Sequence, residues 1–371
     1  MTRVRSIELR MIALPLVRPF RTSFGEETAK ECVLVRVETT DGAVGWGECV
    51  AGPEPDFGGE FDAGAWLVIR DFLAPALFDA GEVTSERLEE IFSGVRGNPM
   101  AKAALIDAFL DAELRERGES LAAFLGGAGD RVVCGVSVGI TTTIEALLEQ
   151  VDGYLAEGYR RIKLKIEPGT DVERVTAVRR AHPNILLSVD ANAAYRLEDV
   201  GVFRELDACD LLMVEQPLHY EDIVQHARLQ REISSAICLD ESIRSPADAA
   251  AAVELGACRI VNIKQGRVGG VLAAKQVHDL CRERGVPVWC GGMLETGIGR
   301  ATNLALAGLP GFTLPGDTSA SSRYFADDIT EPFELARDGT MAVPDGPGIG
   351  VEPRPERLEA TTIRVERIEK E

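Results

Sequence analysis

Three short apolar runs decide the fold of this chain: ILLSVD (185–190), LLMVE (211–215) and AICLD (236–240). Each run ends in an acid, and the three acids, Asp190, Glu215 and Asp240, stand 25 residues apart along the chain. A repeating strand–helix unit produces this spacing, and its parallel strands direct their carboxyl ends toward one rim of a barrel. The spacing therefore predicts that the three carboxylates meet at one rim.

The alternation of strand-like and helical segments extends on both sides of these runs, beginning at about Val132. Further strand-like runs are VVCGVSVG (132–139), RRIKLKI (160–166), RIVNIK (259–264) and PVWCGG (287–292), and FTLPGD (312–317) is a candidate eighth strand. Charged residues follow many of these strands. In an open parallel sheet, functional residues instead gather at the one point where the strand order reverses. This pattern favours an α/β barrel over an open parallel sheet.

The N-terminal part has a different order, with strands first and helices afterwards. An early strand-like run, a predicted hairpin around Asp41-Gly42 and helical patterns near 60–77, 85–93 and 99–117 indicate an α+β layout. The tail is rich in Pro and Gly and ends in TTIRVERIEK, which we expect to return to the first domain. The predicted domains are 1–130 (α+β), 131–326 (barrel) and 327–371 (returning tail).

Composition narrows the class of protein. A formal net charge of −20 disfavours nucleic acid and anionic membranes as partners, since phosphate binding needs a basic surface. No apolar run approaches the roughly 20 residues of a membrane span, so we expect no membrane partner and a cytoplasmic location. The eight cysteines contain no C-x-x-C pair, and most lie in apolar runs, which favours buried free thiols.

Asp190, Glu215 and Asp240 form a candidate metal site. Converging carboxylates repel one another unless a cation offsets their charge, and Mg²⁺ or Mn²⁺ prefers such hard oxygen ligands. The alternative is that acids at a barrel rim are solvated or paired with arginines. Three acids at matched strand ends favour the metal.

Three lysines frame the acids. Lys163 and Lys165 share one face of a strand, because side chains alternate with a period of two, and Lys264 follows a strand on the opposing wall. A neighbouring ammonium and a divalent cation both disfavour the charged form of Lys165, so it can serve as a base. Either the two walls each supply a base, or one lysine removes a proton and the other steadies the charge. Surface lysines on an edge strand are the alternative to both.

The metal and the lysines suit one kind of reaction. A proton next to a carboxylate is very weakly acidic, and its removal leaves an enediolate with two negative oxygens. A cation at those oxygens stabilises the charge as it develops. The residues therefore predict proton transfer beside a substrate carboxylate.

The same residues resemble the enolase superfamily and, within it, the muconate-lactonizing-enzyme subgroup. That subgroup has K-x-K after the second barrel strand, metal acids after the third to fifth, and a lysine after the sixth. The resemblance implies a (β/α)7β TIM-like barrel under an N-terminal α+β capping domain. Stretches resembling o-succinylbenzoate synthases that also racemise N-acylamino acids are GVSVGI, GYRRIKLKIEPG, VDANAAY, CLDESI, VNIKQGRVGG, PVWCGGMLETGIGRA and LPGDTSAS.

This resemblance implies syn-dehydration of 2-succinyl-6-hydroxy-2,4-cyclohexadiene-1-carboxylate to o-succinylbenzoate, a step of menaquinone biosynthesis, and 1,1-proton transfer in N-acylamino acids. Lys165 would be the general base and acid, and Lys264 would stabilise charge or serve the other enantiomer. Asn192 and Glu241 would orient the ligands or lysines. The resemblance also implies a small carboxylate substrate, Mg²⁺ and a homo-oligomer. Predicted substrate contacts are Phe24, Ser137, Gly291, Met293, Leu294 and Ile298.

Other functions stay open at this point. A dedicated N-acylamino acid racemase is one alternative, and muconate cycloisomerisation or dipeptide epimerisation within the same subgroup is another. Dipeptide epimerases usually carry Asp-x-Asp after the last barrel strand, where this chain reads GDTSAS. A non-catalytic barrel that binds a metal would not need the lysines.

Overall fold

The computed structural model describes residues 1–23 and 25–370. Its strands are β1 (Thr2–Arg21), β2 (Glu26–Thr39), β3 (Val44–Cys49), β4 (Glu82–Val83), β5 (Arg131–Val133), β6 (Gly135–Val138), β7 (Arg161–Lys165), β8 (Leu186–Asp190), β9 (Val214–Glu215), β10 (Ile237–Leu239), β11 (Ile260–Ile263), β12 (Val288–Cys290), β13 (Thr340–Ala342) and β14 (Thr362–Glu369).

The α-helices are α1 (Asp62–Val68), α2 (Ala74–Ala80), α3 (Leu88–Ile91), α4 (Pro99–Arg117), α5 (Leu121–Leu125), α6 (Ile144–Glu157), α7 (Asp171–Ala181), α8 (Val200–Leu206), α9 (Ile223–Glu232), α10 (Pro246–Leu255), α11 (Gln265–Val268), α12 (Val271–Glu283), α13 (Gly297–Ala307) and α14 (Pro355–Thr361). A π-helical segment, Ile69–Leu73, joins α1 to α2. The predicted helix at 99–117 is confirmed.

The N-terminal region is an antiparallel sheet with the strand order β14-β1-β2-β3, and β4 also pairs with β1. We call this sheet and helices α1–α4 the cap. Glycines let α4 lie directly against β3, because a Cβ at Gly45 or Gly47 would stand 2.1 Å from a carbonyl oxygen of α4. The predicted hairpin is confirmed as β2–β3, and the tail strand β14 pairs with β1 as expected.

The second sheet is parallel, with seven strands in the order β12-β11-β10-β9-β8-β7-β6 in the described part of the chain. The predicted eighth strand is replaced by isolated bridges, which join Phe312 to Val288 of β12 and Gly316 to Cys134 beside β6. Gly135 N donates to Gly316 O, and Asp317 N donates to Cys290 O. Residues 312–317 thereby connect the two edges of the sheet and close the barrel.

The cysteine prediction is confirmed, since every cysteine is buried and free. Over residues 1–23 and 25–370, no helix is both long enough and apolar enough to cross a bilayer. The domain boundaries near residues 130 and 326 stay predictions.

Candidate active site at the carboxyl ends of the barrel strands

The strand register places the predicted residues side by side. Lys165 is the register partner of Asp190 across β7 and β8, and Asp190 is the partner of Glu215 across β8 and β9. Asp240 and Lys264 directly follow the next two strands, β10 and β11. One rim of the barrel therefore carries all five side chains, as the spacing predicts.

Lys163 lies at the centre of a buried charge cluster. Its Nζ is 2.7 Å from Asp317 Oδ2, 2.9 Å from Glu215 Oε2 and 3.2 Å from Asp190 Oδ2. The same ammonium lies 4.8 Å from the ring centroid of Trp289. Burial by itself would lower the pKa of Lys163, but the three carboxylates outweigh it and raise the pKa well above its ordinary value. These carboxylates therefore favour the charged form of Lys163.

Lys165 is held by partners from β8 and the loop after it. Its Nζ donates to Asp190 Oδ2 at 2.7 Å and to Asn192 Oδ1 at 2.6 Å. Asn192 has a left-handed backbone (φ 42°), a conformation that asparagine tolerates, and its Nδ2 donates to Glu241 Oε1 at 2.8 Å. Although burial opposes it, the attraction of Lys165 and Lys163 lowers the pKa of Asp190.

Lys264 has a different environment on the other wall. Its Nζ donates to Asp240 Oδ2 at 2.8 Å and lies 4.6 Å from the ring centroid of Phe57, a residue of a loop in the cap. The second oxygen of Asp240 accepts from Arg267, which also donates to the carbonyl of Ile243. Three strands, β8, β9 and β10, separate the strand of Lys165 from the strand of Lys264.

All three lysines line one cleft of about 400 Å³ between the barrel rim and the cap. Of the predicted substrate contacts, Ser137, Met293 and Leu294 line this cleft. A larger cavity of about 650 Å³ lies between the cap and the loops after β9 to β11, and it contains Glu241 but none of these lysines. The smaller cleft is the candidate active site because the reactive groups face it.

Two further predicted contacts, Gly291 and Ile298, are not among the residues that line this cleft, and their role stays a prediction. Ile298 is fully buried in α13. Gly291 packs against Asn262, since an added Cβ would stand 2.2 Å from Asn262 Oδ1, so its small size serves packing. Phe24 lies outside the described residues.

The acids have the chemistry of a site for a hard divalent cation, although their side chains do not enclose one here. Glu215 Oε2 is buried and lacks a hydrogen bond, because the nearby Lys163 ammonium is in ion-pair range without hydrogen-bond geometry. In residues 1–23 and 25–370, no group of three or more acidic, His or Cys side chains stands close enough to hold a metal. Lys163 bridges Asp190 and Glu215, while Lys264 and Arg267 hold Asp240.

Sequence reasoning missed several residues of this site. Asp317, in the segment that closes the barrel, accepts hydrogen bonds from Arg161, Lys163 and Ser137. These contacts connect the closing segment to strands β6 and β7. Attraction by Arg161 and Lys163 outweighs burial and lowers the pKa of Asp317. The sequence feature that could have identified Asp317 is its position at the end of the candidate eighth strand, FTLPGD. Phe57 carried no signal beyond its place in a Pro/Gly-rich loop.

Comparisons with known proteins agree with this geometry. Residues 6–126 match the mandelate racemase / muconate lactonizing enzyme N-terminal domain, and residues 146–357 match the enolase C-terminal domain-like family. A solved enolase-superfamily structure from Listeria innocua superposes with a TM-score of 0.96 at 41% identity, covering 100% of both chains.

Two curated relatives carry two different names. An N-succinylamino acid racemase from Amycolatopsis is 55% identical, covering 98% of this chain and 99% of the relative. An o-succinylbenzoate synthase from Geobacillus kaustophilus is 49% identical, covering 94% of this chain and 92% of the relative.

Proposed function

Because the chain belongs to the mandelate racemase / muconate lactonizing enzyme family of the enolase superfamily, we propose that it is an o-succinylbenzoate synthase that also racemises N-acylamino acids. The relatives that carry these two names span nearly the whole chain. We propose Lys165 and Lys264 as the catalytic acid–base groups. Lys163 is proposed as the fixed charge beside them.

The observation that carries this proposal is the placement of Lys165 and Lys264. Both line one cleft, on strands that three other strands separate. A substrate carbon between them is open to an amine on each side. A scaffold that only bound a metal would not need this arrangement.

Lys163 lies beside Lys165 in the proposed site. Both ammonium groups lie near the same oxygen, Asp190 Oδ2, at 3.2 Å and 2.7 Å. Lys163 thus places a second amine beside the proposed base, on the same carboxylate oxygen. A neutral amine can accept a proton from the substrate.

In the dehydration, Lys165 takes the proton from the carbon next to the substrate carboxylate and becomes an ammonium. The same ammonium then donates that proton to the hydroxyl leaving from the same face, which departs as water. Lys165 is neutral again, as a syn-elimination requires. Lys264, on the opposite wall, faces the other side of the deprotonated substrate and offsets the negative charge that develops there.

In the racemisation, the lysines exchange roles. A neutral lysine on one wall removes the α-proton, and the ammonium on the other wall delivers a proton to the opposite face. The two lysines end with their protonation states reversed. Exchange with water restores the starting forms.

Asp190, Glu215 and Asp240 are the residues that would hold a divalent cation, which we propose to be Mg²⁺ with Mn²⁺ as a substitute. When bound, the cation would supply electrostatic stabilisation for the charge developing on the substrate carboxylate. Binding requires these carboxylates to turn from the ammonium groups that they contact. Asn192 and Glu241 would orient the side chains that flank the cation and Lys165.

A dedicated N-acylamino acid racemase is the second candidate, and the observation that favours it is the 55% identity to the Amycolatopsis racemase. The measurement that separates the two is kcat/KM for the purified protein on the cyclohexadiene substrate and on N-succinylamino acids. We expect turnover of both. Absence of dehydration with racemisation intact would leave the dedicated racemase.

The roles of the residues are tested with Lys165→Ala in the presence of Mg²⁺. We expect dehydration to fall by a factor on the order of 10³ or more, as for loss of a general acid–base group. Lys275→Ala is the matched control, because this lysine pairs with Asp279 on α12, away from the cleft. Dehydration by Lys165→Ala at the rate of Lys275→Ala would refute the assignment.

A further inference from the structure

Two charged side chains of the cap are buried where the cap meets the loop after β12. Glu48 lies on β3 and is 2% exposed, and Lys30 lies on β2 and is 3% exposed. Charged side chains are rarely buried to this extent unless they have partners. Both have partners in the barrel, so they act at the junction of the cap and the barrel.

Glu48 reaches across this junction to the start of helix α13. Its two carboxylate oxygens accept from Thr296 N, each at 3.2 Å, and Oε2 also accepts from Thr296 Oγ1 at 2.7 Å and from Gly299 N at 3.0 Å. A negative charge at a helix N-terminus is favourable because the first N–H groups have no partner within the helix. A residue of the cap thus fixes the first turn of a barrel helix.

Lys30 holds the loop that leads into α13 at its other end. Its Nζ donates to Met293 O at 3.0 Å and to Val50 O, directly after β3, at 3.2 Å. We call residues 293–296 the junction loop. Lys30 contacts the first residue of the junction loop and Glu48 contacts the last, and both come from neighbouring strands of one sheet. The cap therefore fixes this loop at two points.

The junction loop has a strained backbone between these two points. Leu294 has a φ of 57°, in the left-handed region that leucine rarely adopts. Such a conformation persists only when the surrounding structure determines it. Lys30 supplies a contact one residue before Leu294, and Glu48 supplies contacts two residues after it. These contacts provide the constraint that the strained residue requires.

The junction loop also forms part of the wall of the candidate active site. Met293 and Leu294 line the cleft. The hydrogen-bond partners of the lysines Lys165 and Lys264 lie outside this loop. Movement of the loop would therefore displace apolar side chains that face the cleft, while both amines keep their acceptors. We expect such movement to weaken substrate binding more than proton transfer.

We propose that Lys30 and Glu48 are positioning residues, which together hold Met293 and Leu294 in place against the substrate. Neither takes part in proton transfer, because the Lys30 ammonium is directed at two backbone carbonyls and the Glu48 carboxylate at the start of α13. The proposal rests on the proposed function of the cleft, since it concerns the binding of an N-acylamino acid. It gives the cap a contribution to substrate affinity that acts through a loop of the barrel.

Hydrogen–deuterium exchange of the whole chain tests the contacts without an assay of activity. Glu48→Gln turns an amide donor toward the N–H groups of α13, and Lys30→Met removes the donor to the loop. We expect a fragment that covers residues 293–295 to exchange at least fivefold faster in each variant. Asp111→Asn is the matched control, because Asp111 is a buried carboxylate of the cap that accepts from Trp46 N and does not line the cleft. Exchange at 293–295 should stay within about twofold in this control.

Steady-state kinetics with N-succinylleucine tests the consequence for binding. A displaced loop weakens contacts that the substrate and the transition state make alike, so KM should rise while kcat is retained. We expect KM to rise at least fivefold in Glu48→Gln and in Lys30→Met, with kcat within about threefold of the wild type. The double variant should resemble the single variants, because both residues hold one loop.

The outcomes separate this proposal from the proposed function. If the wild type racemises no N-succinylamino acid but the exchange results hold, the reaction is wrong and the role of Lys30 and Glu48 in holding the loop stands. If the wild type is active and both variants, with native circular dichroism spectra, exchange the loop like the wild type, the positioning role is refuted. An equal rise of KM in Asp111→Asn would refute it as well, because cap docking in general would then set the affinity. Lys30→Met decides the result by itself if Glu48→Gln does not fold.

Discussion

The two walls of the cleft hold their lysines by different means. Lys165 is fixed by two short hydrogen bonds, to Asp190 and Asn192, and both partners belong to the barrel. Lys264 has one carboxylate partner, Asp240, and an aromatic ring supplied by Phe57 of the cap. The hydrogen-bond partners of Lys165 thus come from the barrel, whereas Lys264 also contacts an aromatic ring of the cap.

This difference means that the cap contributes to the contacts of the two lysines unequally. Hydrogen bonds from an ammonium to oxygen acceptors depend on direction, and they fix Lys165 whether or not the cap is in place. The contact between Lys264 and Phe57 exists only while the loop of the cap lies over the rim. Among the side chains in contact with the two lysine ammonium groups, the one that the cap contributes is therefore Phe57, beside Lys264.

The largest expected effect comes from removing either lysine while the other remains. Lys165→Ala should stop exchange of the α-proton in the enantiomer whose proton faces Lys165, and Lys264→Ala should stop it in the opposite enantiomer. Each variant should lose racemisation by a factor on the order of 10³ or more. Proton NMR of enantiopure N-succinylamino acids in D₂O measures both rates.

If both variants lose exchange in the same enantiomer, the two lysines do not approach the substrate from opposite sides. That result would place the lysines on one side of the substrate. Exchange without inversion in each variant, in opposite enantiomers, is the expected pattern. Lys275→Ala should behave like the wild type.

The wall of Lys165 was largely predictable from sequence. The period-two spacing of KLK and the acid at the end of each apolar run place Lys165, Asp190 and Glu215 at one rim. Parallel strands admit few other arrangements, so a local pattern determines a long-range contact. Lys264 follows by the same argument.

The partners of Lys264 and Lys163 were not predictable in this way. Phe57 reaches Lys264 from a loop of the cap, and no periodic pattern determines where such a loop lies. Asp317 reaches Lys163 from residues 312–317, which close the barrel by isolated bridges rather than by a strand. The close approach of Gly291 to Asn262 likewise depends on the position of the Asn262 side chain. These contacts arise from tertiary packing, which the spacing of residues along the sequence does not predict.

A smaller effect is expected from Asn192→Ala, which removes one of the two acceptors of Lys165. Loss of a group that orients a reactive side chain typically costs about 10- to 100-fold in activity. Exchange in the enantiomer served by Lys165 should fall by that factor, while exchange served by Lys264 should stay within about twofold. Asn192→Gln, which keeps both an acceptor oxygen and a donor amide group, is the conservative control. Equal losses in both enantiomers would show that Asn192 acts on the whole site.

Phe57→Leu is expected to give a still smaller effect, and on the other wall. A cation–π contact that is partly desolvated contributes about 1–2 kcal/mol, which corresponds to roughly tenfold in rate. Exchange in the enantiomer served by Lys264 should fall by about that factor, and Phe57→Tyr should retain it because the ring remains. If Phe57→Leu slows the Lys165 enantiomer equally, the cap acts on both walls alike.

Asp107→Asn is expected to have the smallest effect on the difference between the exchange rates of the two enantiomers. It alters the contact between helix α4 of the cap and helix α12 of the barrel, away from the cleft. Asp107 of α4 is buried and accepts from Val271 N at the start of α12, at 2.9 Å. Burial raises its pKa to about 7. Exchange rates for both enantiomers should change together, within about twofold, because neither lysine loses a partner.

The same substitution should change the pH dependence of stability. An unfolded aspartate has a pKa of about 3.9, so between about pH 4 and pH 7 the folded state binds more protons than the unfolded state. The free energy of unfolding of the wild type therefore falls as pH rises through this window, by at most about 4 kcal/mol from Asp107. Asp107→Asn cannot lose this proton, so its stability relative to the wild type should increase from pH 5 to pH 8 in urea titrations. Asp41→Asn, in an exposed turn, should show no such increase, and an equal slope in the two variants would exclude a protonated Asp107 at the junction of cap and barrel.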